Sequence, residues 1–273
     1  MSRTLRGGNA VVTGASTGLG RELVRQLVRD RDMTVLATAR RLDRLESLAV
    51  EWPPGRVLTS AGDLADAGFR RDLWERALTM PGGVDLLVNN AGAGHYAEFA
   101  DQDPDRIRQI IELNLMALID LSQKAARHMK ARGSGQILEI SSVLGFVGIA
   151  ESAVYVASKH AVNGLVKSLR YELDGTGVRV WAACPGRTVS EFSEVAGRGA
   201  EKPPSWPGRE PTERVVRGIL RGLDRRRAFV LPTWRAWLVV AAASWLPGPV
   251  DWLITRIGPG ASRRREVNPT SAP

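Results

Sequence analysis

A tyrosine and a lysine four residues apart are the pair in this sequence best suited to acid–base chemistry. Tyr155 and Lys159 lie in a predicted helix, where residues four apart share one face, about one turn from each other. A nearby ammonium favours phenolate over phenol, so we expect the pKa of Tyr155 to lie below its reference value of about 10. Such a phenol could take a proton from an alcohol or give one to a carbonyl.

A serine stands at the end of the strand that precedes this helix. Ser142 follows the predicted strand 136–141 and lies thirteen residues before Tyr155. Open α/β sheets bind their ligands at the carboxyl ends of the strands, so a substrate would be met at this position. A Tyr-x-x-x-Lys pair alone is common by chance, but a serine at the preceding strand end supports its assignment to a ligand-binding edge of the sheet.

Strand and helix patterns alternate at least six times along the chain, which predicts a parallel sheet with helices on both faces. The strands lack polar alternation, as expected when both faces are buried. We therefore expect an α/β fold, a three-layer doubly wound Rossmann fold with seven parallel strands. The predicted strands are 9–13, 33–38, 56–60, 84–88, 136–141, 178–183 and 228–231. The predicted helices are 21–29, 42–48, 69–78, 104–131, 152–173 and 212–223.

The loop after the first predicted strand is rich in glycine and opens a helix, in the run Thr13-Gly-Ala-Ser-Thr-Gly-Leu-Gly20. Gly14 permits a tight turn, Gly18 lets the backbone approach a pyrophosphate, and Gly20 lets the helix pack close to the sheet. The helix N-terminus adds unpaired N–H groups and a partial positive charge. Glycines alone are weak evidence, but this strand–loop–helix setting predicts a dinucleotide site.

The end of the second predicted strand indicates which dinucleotide is bound. An acidic residue there would bind the ribose 2′-hydroxyl of NAD, but this chain has Thr38-Ala39-Arg40-Arg41. Arg40 could pair with a 2′-phosphate, so we expect NADP(H) as the cofactor. The alternative is that Arg40 and Arg41 only begin a surface helix.

Together these residues resemble the short-chain dehydrogenase/reductase family in its standard, non-extended branch, over roughly residues 8–232. The resemblance implies NADP(H)-dependent hydride transfer between an alcohol and a carbonyl, on a sheet of strand order 3-2-1-4-5-6-7. It also implies a homo-oligomer, a dimer or tetramer, that pairs through the helices beginning near Pro104 and Ser152. The motifs that carry the resemblance, in the family's order and spacing, are 13–20, Asn89-Asn90-Ala91-Gly92, Asn114, Ser142, Tyr155, Lys159 and Pro185-Gly186.

The resemblance implies a role for each of four catalytic residues. Ser142 would hydrogen-bond the substrate oxygen, and Tyr155 would transfer the proton. Lys159 would hold the nicotinamide ribose and tune Tyr155, while Asn114 would help to hold a water that relays protons from Lys159. The intact set weighs against the main alternative, a catalytically silent NADP-binding protein with a regulatory or membrane-peripheral role.

The resemblance also implies the cofactor contacts. Asp63 would contact the adenine, and the turn 90–92 would pack beside the cofactor. The sequence departs from the family at Thr188, where valine is usual; Arg187 is unexpected, and Ser190 could supply the hydroxyl of the usual threonine. The expected cofactor-binding residues are Gly14, Ser16, Thr17, Gly18, Leu19, Gly20, Arg40, Asp63, Leu64, Asn90, Ala91, Gly92, Tyr155, Lys159, Pro185, Gly186 and Thr188.

The net charge of +9 comes almost entirely from arginine, which is spread along the chain rather than gathered in one stripe. We therefore expect a solvated basic surface and no nucleic-acid partner. Three scattered histidines without ligand spacing predict no metal site. A single cysteine, Cys184, suits a reducing compartment, and the polar start has no secretory pattern, so we expect a cytoplasmic location.

Composition divides the chain into three parts. Residues 1–232 are predicted to form the NADP-binding and catalytic domain, with 190–210 as a lid over the substrate. Residues 261–273 are predicted to be a basic, disordered tail. Between them, 233–260 form an apolar helical extension whose two apolar pieces are shorter than the ~20 residues of a spanning helix. The four tryptophans of this extension are Trp234, Trp237, Trp245 and Trp252.

Two interpretations of this extension stay open. It covers the substrate pocket or a subunit interface, or its residues 234–257 lie in the plane of a membrane surface, assisted by the arginine run 263–265. Under both interpretations we expect a small apolar carbonyl or alcohol as substrate, either lipid-like or steroid-like.

Overall fold

One parallel sheet of seven strands forms the centre of the protein. The computed structural model describes residues 5–196, 208–225 and 227–257. The strands are β1 (Asn9–Thr13), β2 (Thr34–Ala39), β3 (Val57–Ala61), β4 (Leu86–Asn89), β5 (Gly135–Ile140), β6 (Val178–Ala183) and β7 (Phe229–Val230). Their order is β3-β2-β1-β4-β5-β6-β7, and every neighbouring pair is parallel. The predicted fold class and strand order are confirmed.

Helices cover both faces of this sheet. The helices of the described residues are α1 (Gly18–Arg31), α2 (Leu42–Ala49), α3 (Ala67–Leu78), α4 (Pro104–Ile111), α5 (Ala117–Arg132), α6 (Ala153–Glu172), α7 (Glu191–Ala196), α8 (Thr212–Leu220), α9 (Trp234–Trp245) and α10 (Pro247–Ile257). Side chains of α1, α2 and α8 share one apolar core with the sheet. Those of α3, α5 and α6 share a second core on the opposite face, which gives three layers.

The apolar strands fill both cores because neighbouring side chains of a strand point to opposite faces of the sheet. In β1, Ala10 and Val12 lie in the core with α1, whereas Val11 lies in the core with α3 and α5. The same division separates Val35 from Leu36 in β2. Both faces are buried, which is why these strands show no polar alternation.

The predicted helix 104–131 is present and contains a π turn. Asp103 caps its start by accepting a hydrogen bond from the Asp105 backbone N–H at 2.9 Å, but a π turn, Glu112–Met116, separates α4 from α5. Such turns are rare and occur frequently at functional sites. Here the π turn carries Asn114, whose side chain is fully buried. The predicted helix is therefore present, and the π turn within it is a feature that the sequence pattern did not predict; hydrogen bonds to Ala93 and Ser158 hold Asn114 inside.

The predicted loop 191–209 contains a short helix. Residues 191–196 form α7, while 197–207, the larger part of the predicted lid, lie outside the described residues. The helix was not predicted, because the many glycines, prolines and charges of the whole segment are typical of a loop and α7 has only six residues. Phe192 of α7 packs on Tyr155, with ring centres 5.6 Å apart, and this tertiary contact was not visible in the local composition.

The C-terminal extension is helical, as expected. Thr233 caps α9 by accepting a hydrogen bond from the Ala236 N–H at 3.3 Å, and α10 follows after a sharp bend. Within the described ranges, no single helix has the length and apolar composition to cross a membrane. The pair α9 and α10 passes that test together, but its two parts are bent by 113°. The predicted tail 261–273 lies outside the described residues.

Candidate functional site

The loops that follow β1 and β4 are bound to each other at the carboxyl edge of the sheet. Thr13 Oγ1 accepts hydrogen bonds from the backbone N–H groups of Asn90 (2.9 Å) and Ala91 (3.0 Å). Asn90 Nδ2 in turn donates to the carbonyl oxygens of Thr13 (2.9 Å) and Gly14 (3.2 Å). The strand order reverses between β1 and β4, and sheets of this kind bind ligands in the crevice at such a reversal.

The glycine loop makes room for a phosphate group. Gly14 and Gly18 have φ angles of +66° and +55°, which other residues rarely adopt. A Cβ on Gly20 would collide with the Gly14 carbonyl oxygen and with the Asn90 side chain. Helix α1 begins at Gly18, and its N-cap residue Thr17 makes no side-chain capping bond, so the first-turn N–H groups suit an anion. This cradle fits the pyrophosphate of a dinucleotide.

Arg41 reaches the glycine loop, although the prediction named Arg40. Arg41 Nη2 lies 3.4 Å from Ser16 Oγ, 3.5 Å from Thr17 Oγ1 and 3.2 Å from Glu191 Oε2. The Arg40 side chain is exposed beside it. Arg41 is the N-cap residue of α2, so the start of that helix turns the guanidinium towards the phosphate cradle.

Tyr155 and Lys159 lie one turn apart on α6. Lys159 is buried; its Nζ donates a hydrogen bond to the Ile140 carbonyl oxygen at 2.8 Å and lies 5.6 Å from the centre of the Tyr155 ring. Burial lowers the pKa of Lys159 to about 8. A Cβ on Gly92 would lie 3.9 Å from Lys159 Nζ, so the Asn-Ala-Gly turn ends next to the ammonium.

The expected lowering of the Tyr155 pKa was wrong. Burial is the largest effect and raises the pKa of Tyr155 well above its ordinary value, against a smaller lowering by the hydrogen bond with Ser142. The spacing in the sequence placed an ammonium nearby, but it did not show that Phe192 covers the phenol. Tyr155 is therefore held as a neutral phenol at neutral pH.

Ser142 lies two residues beyond β5 and organises the turn that follows. Its Oγ accepts a hydrogen bond from the Leu144 N–H at 3.1 Å, within the turn Val143–Gly145, and its hydroxyl is near enough to lower the pKa of Tyr155. The Val143 N–H donates to the Pro185 carbonyl oxygen at 3.1 Å, which joins this turn to the loop after β6. The serine hydroxyl and the phenol thus converge on one place at the sheet edge.

Asn114 connects the π turn to both neighbouring elements. Its Oδ1 accepts a hydrogen bond from the Ala93 N–H at 2.7 Å, and its Nδ2 donates to the Ala93 carbonyl oxygen (2.8 Å) and to Ser158 Oγ (3.1 Å). Ser158 Oγ donates to the Tyr155 carbonyl oxygen at 2.7 Å. The Asn114 side chain therefore fixes α6, with its tyrosine, relative to the turn after β4.

Comparison with known proteins places this geometry in a family. Residues 8–200 match the family model described as short chain dehydrogenase. A 3alpha-hydroxysteroid dehydrogenase of Mediterraneibacter gnavus is 34% identical over 197 residues, which cover 71% of this chain and 79% of that protein. An uncharacterized oxidoreductase of Myxococcus xanthus is 35% identical over 246 residues, which cover 88% of this chain and 93% of that protein. The chain belongs to the short-chain dehydrogenase/reductase family.

Other members of the family differ in what they act on. A short-chain dehydrogenase from Sphingobium yanoikuyae in complex with NADPH has a TM-score of 0.77 at 29% identity, covering 92% of this chain and 96% of its own. The bulky-bulky ketone specific alcohol dehydrogenase of Comamonas testosteroni has a TM-score of 0.73 at 26% identity, covering 89% and 93%. A 2-dehydro-3-deoxy-D-gluconate 5-dehydrogenase of Bacillus subtilis is 34% identical over 188 residues, 67% of this chain and 72% of that protein. Family membership makes this chain an oxidoreductase that uses a nicotinamide cofactor.

The remaining residues that the family pattern predicts at the cofactor site lie at the same edge of the sheet. Asp63 and the buried Leu64 follow β3, and the loop 185–188 follows β6. A Cβ on Gly18 would lie 3.0 Å from Ser190 Cβ, so Ser190 approaches the glycine loop. The predicted segments therefore all follow strands at the carboxyl edge of the sheet, and the Arg40 side chain is exposed there.

Helix α7 covers the tyrosine of this short-chain dehydrogenase. Phe192 and Ala196 enclose, together with Tyr155, a cavity of about 10 Å³, near the smallest volume that holds a water. His95 also lines this cavity. The Tyr96 N–H donates to the Ala196 carbonyl oxygen at 3.1 Å, which joins the loop after β4 to α7.

A buried carboxylate in the sheet was missed in the sequence. Glu139 of β5 is fully buried; its Oε1 accepts hydrogen bonds from Ser122 Oγ (2.7 Å) and Asn89 Nδ2 (3.3 Å), and its Oε2 has no hydrogen-bond partner among the described residues. Burial raises the pKa of Glu139 to about 7, against smaller lowering effects of these hydrogen bonds and of Lys159. The signal in the sequence that could have revealed it is one glutamate between apolar residues of a predicted buried strand.

Replacing Glu139 with glutamine is expected to flatten the pH dependence of stability. The folded protein holds this proton up to about pH 7, whereas an unfolded glutamate releases it near 4.5, so the free energy of unfolding falls as pH rises between these values. The fall is on the order of 1–3 kcal/mol. Urea unfolding across that window measures it, and Glu139→Gln should lack this component.

Glu46→Gln, at an exposed position on α2, is the matched control and should keep the slope of the parent protein. The lowered pKa of Lys159 affects stability in a higher pH range, because this pKa is about 8 in the folded protein and 10.5 in the unfolded chain. If the slopes of Glu139→Gln and the parent coincided below neutral pH, the buried carboxyl would not hold the proton.

Proposed function

We propose that this chain is an NADP(H)-dependent oxidoreductase that interconverts an alcohol and a carbonyl, with Tyr155 as the proton-transfer group. The observation that carries the proposal is the buried Lys159 ammonium beside the Tyr155 ring, at the sheet edge where Ser142 and the glycine loop also lie. A buried charge is costly, and shifted pKa values of this kind cluster at functional sites.

The residues of the chain divide the work of binding the cofactor. The glycine loop 13–20 would hold the pyrophosphate, Asp63 the adenine and Lys159 the nicotinamide ribose. The nicotinamide, when bound, supplies or accepts the hydride. The turn that ends at Gly92 lies next to Lys159 Nζ, which supports an arrangement with the ribose between them.

The side chains of the site would move the proton. In the reduction, the Ser142 hydroxyl donates a hydrogen bond to the carbonyl oxygen, and the Tyr155 hydroxyl gives that oxygen its proton as the hydride arrives. Burial raises the pKa of Tyr155 and so keeps the phenol protonated before the reaction, and the Lys159 ammonium would stabilise the phenolate that remains after proton transfer. In the oxidation, the phenolate takes the alcohol proton. Asn114 holds α6 against the turn after β4 and would help to place the relaying water.

NADP(H) is the favoured cofactor because two arginines and no carboxylate follow β2. Arg41 already contacts the hydroxyl groups of Ser16 and Thr17 in the phosphate cradle, and Arg40 stands exposed beside it. A guanidinium pairs well with a phosphate, whereas the ribose 2′-hydroxyl of NAD calls for an acid. The NADPH complex of the Sphingobium yanoikuyae relative supports this choice.

An apolar substrate suits the aromatic cover over Tyr155. Phe192 on α7 closes the cavity, so a substrate larger than water requires α7 to move away from Tyr155. A relative that acts on a hydroxysteroid and a structure specific for bulky ketones support an apolar lipid-like or steroid-like substrate, whereas the gluconate relative does not. Cys184 is a buried free thiol, which suits a reducing compartment such as the cytoplasm. By resemblance to the family, two subunits would pair through α4, α5 and α6.

Tyr155→Phe is expected to lower kcat for NADPH-dependent ketone reduction by about 10²–10⁴-fold, the usual contribution of a positioned proton donor. NADPH binding, measured by fluorescence titration, should change far less than kcat, because the glycine loop and Lys159 are intact. Tyr171→Phe, an exposed tyrosine on the same helix, is the matched control. Turnover of Tyr155→Phe close to the parent's would contradict the role of Tyr155. A parent that binds NADPH yet turns over none of a broad ketone panel would favour a silent binding protein.

Arg41→Ala is expected to weaken NADPH binding by roughly ten-fold to one-hundred-fold and to leave NADH binding unchanged, because only NADPH carries the 2′-phosphate. Dissociation constants for both cofactors measure this effect, with Arg40→Ala compared in parallel. Arg71→Ala, exposed on α3, is the control for loss of charge. Equal losses of NADH and NADPH affinity in Arg41→Ala would contradict a 2′-phosphate site.

A further inference from the structure

The C-terminal helices carry most of the exposed apolar surface of the described residues. Of fifteen exposed large hydrophobic side chains there, eight lie between residues 234 and 253. These eight, called the tryptophan surface below, are Trp234, Trp237, Leu238, Val239, Trp245, Leu246, Trp252 and Leu253. Large apolar side chains exposed in such number on one segment indicate an interaction site.

The described part of the chain leaves the tryptophan surface exposed. Ala236 is the buried residue of α9, which packs against the turn Val143–Gly145 next to Ser142. Trp245 is 84% exposed and Trp252 is 60% exposed. Among residues 228–257 the sequence has one acid, Asp251. The surface therefore projects from the edge of the sheet that holds the candidate site.

Arginines accompany the tryptophans in a pattern that suits lipid headgroups. The guanidinium of Arg235 lies 5.5 Å from the Trp234 ring centre, and that of Arg256 lies 5.3 Å from the Trp252 ring centre. Tryptophan is enriched where a bilayer meets water, and arginine keeps its charge at the headgroups while its stem covers apolar surface. The sequence continues with three arginines at 263–265.

The geometry points to the surface of an anionic phospholipid bilayer as the partner of the tryptophan surface. The two helices together have the apolar length of a span, but the 113° bend between them favours a shallow position at the interface. A second copy of this chain fits less well, since a symmetric contact brings equal patches and their arginines together. A bilayer complements both the tryptophans and the positive charge.

Cosedimentation of the full chain with vesicles tests this assignment. One set of vesicles contains phosphatidylcholine with phosphatidylglycerol, and the other contains phosphatidylcholine alone. We expect binding to the mixed vesicles that weakens as salt is raised, because part of the attraction is electrostatic. The double variant Trp245→Ser/Trp252→Ser should bind at least about ten-fold more weakly, since it loses two large exposed apolar groups.

Tyr171→Ser is the matched control, because Tyr171 is 82% exposed on α6, away from the tryptophan surface. It should sediment with mixed vesicles like the parent. Brominated phospholipids give a second readout, since they should quench tryptophan fluorescence in the parent and less in the double variant. Circular dichroism and NADPH titration confirm that each protein is folded.

Three results would overturn the assignment. The first is a folded parent that stays in solution with mixed vesicles, and the second is a double variant that binds them as the parent does. The third is a parent that does not bind vesicles but forms oligomers that the double variant loses, which would identify a second copy as the partner. None of these results depends on the substrate or on Tyr155, so the proposed reaction and this surface can fail separately.

Discussion

The burial of the Lys159 ammonium is the constraint around which the site is arranged. An ammonium taken from water into the protein is costly, and the fall of its pKa from 10.5 to about 8 corresponds to roughly 3 kcal/mol. One hydrogen bond to the Ile140 carbonyl oxygen offsets part of this cost. The Lys159 ammonium lies beside the Tyr155 ring, where it can stabilise a phenolate. The free energy spent on burying the ammonium is therefore linked to proton transfer at Tyr155.

The neighbouring elements hold this charge at the sheet edge. Glu139 lies below it in β5 and raises the pKa of Lys159, although burial outweighs that effect. Asn114 and Ser158 join α6 to the turn after β4, and the π turn carries the asparagine that makes these buried hydrogen bonds. The parallel sheet supplies the frame, since it brings the ends of β1, β4 and β5 to one crevice.

Local pattern and family resemblance were enough to predict the sheet, its strand order and the placement of Lys159 beside Tyr155 on one helix. They failed where a distant contact decides the outcome. The pKa of Tyr155 depends on cover from α7, far along the chain. The contact of Arg41 with Ser16 and Thr17 was not visible in the sequence, while the expected role of Arg40 stays a prediction. The surroundings of Glu139 come from β4 and α5, which no spacing within β5 reveals.

A crystal structure with NADP(H) and a carbonyl substrate analogue is the most direct measurement of the central claim. The account predicts that the hydroxyl groups of Tyr155 and Ser142 both hydrogen-bond the analogue's oxygen, with Lys159 still buried behind Tyr155. A complex in which that oxygen contacts neither hydroxyl, or in which Lys159 faces solvent, would contradict the account.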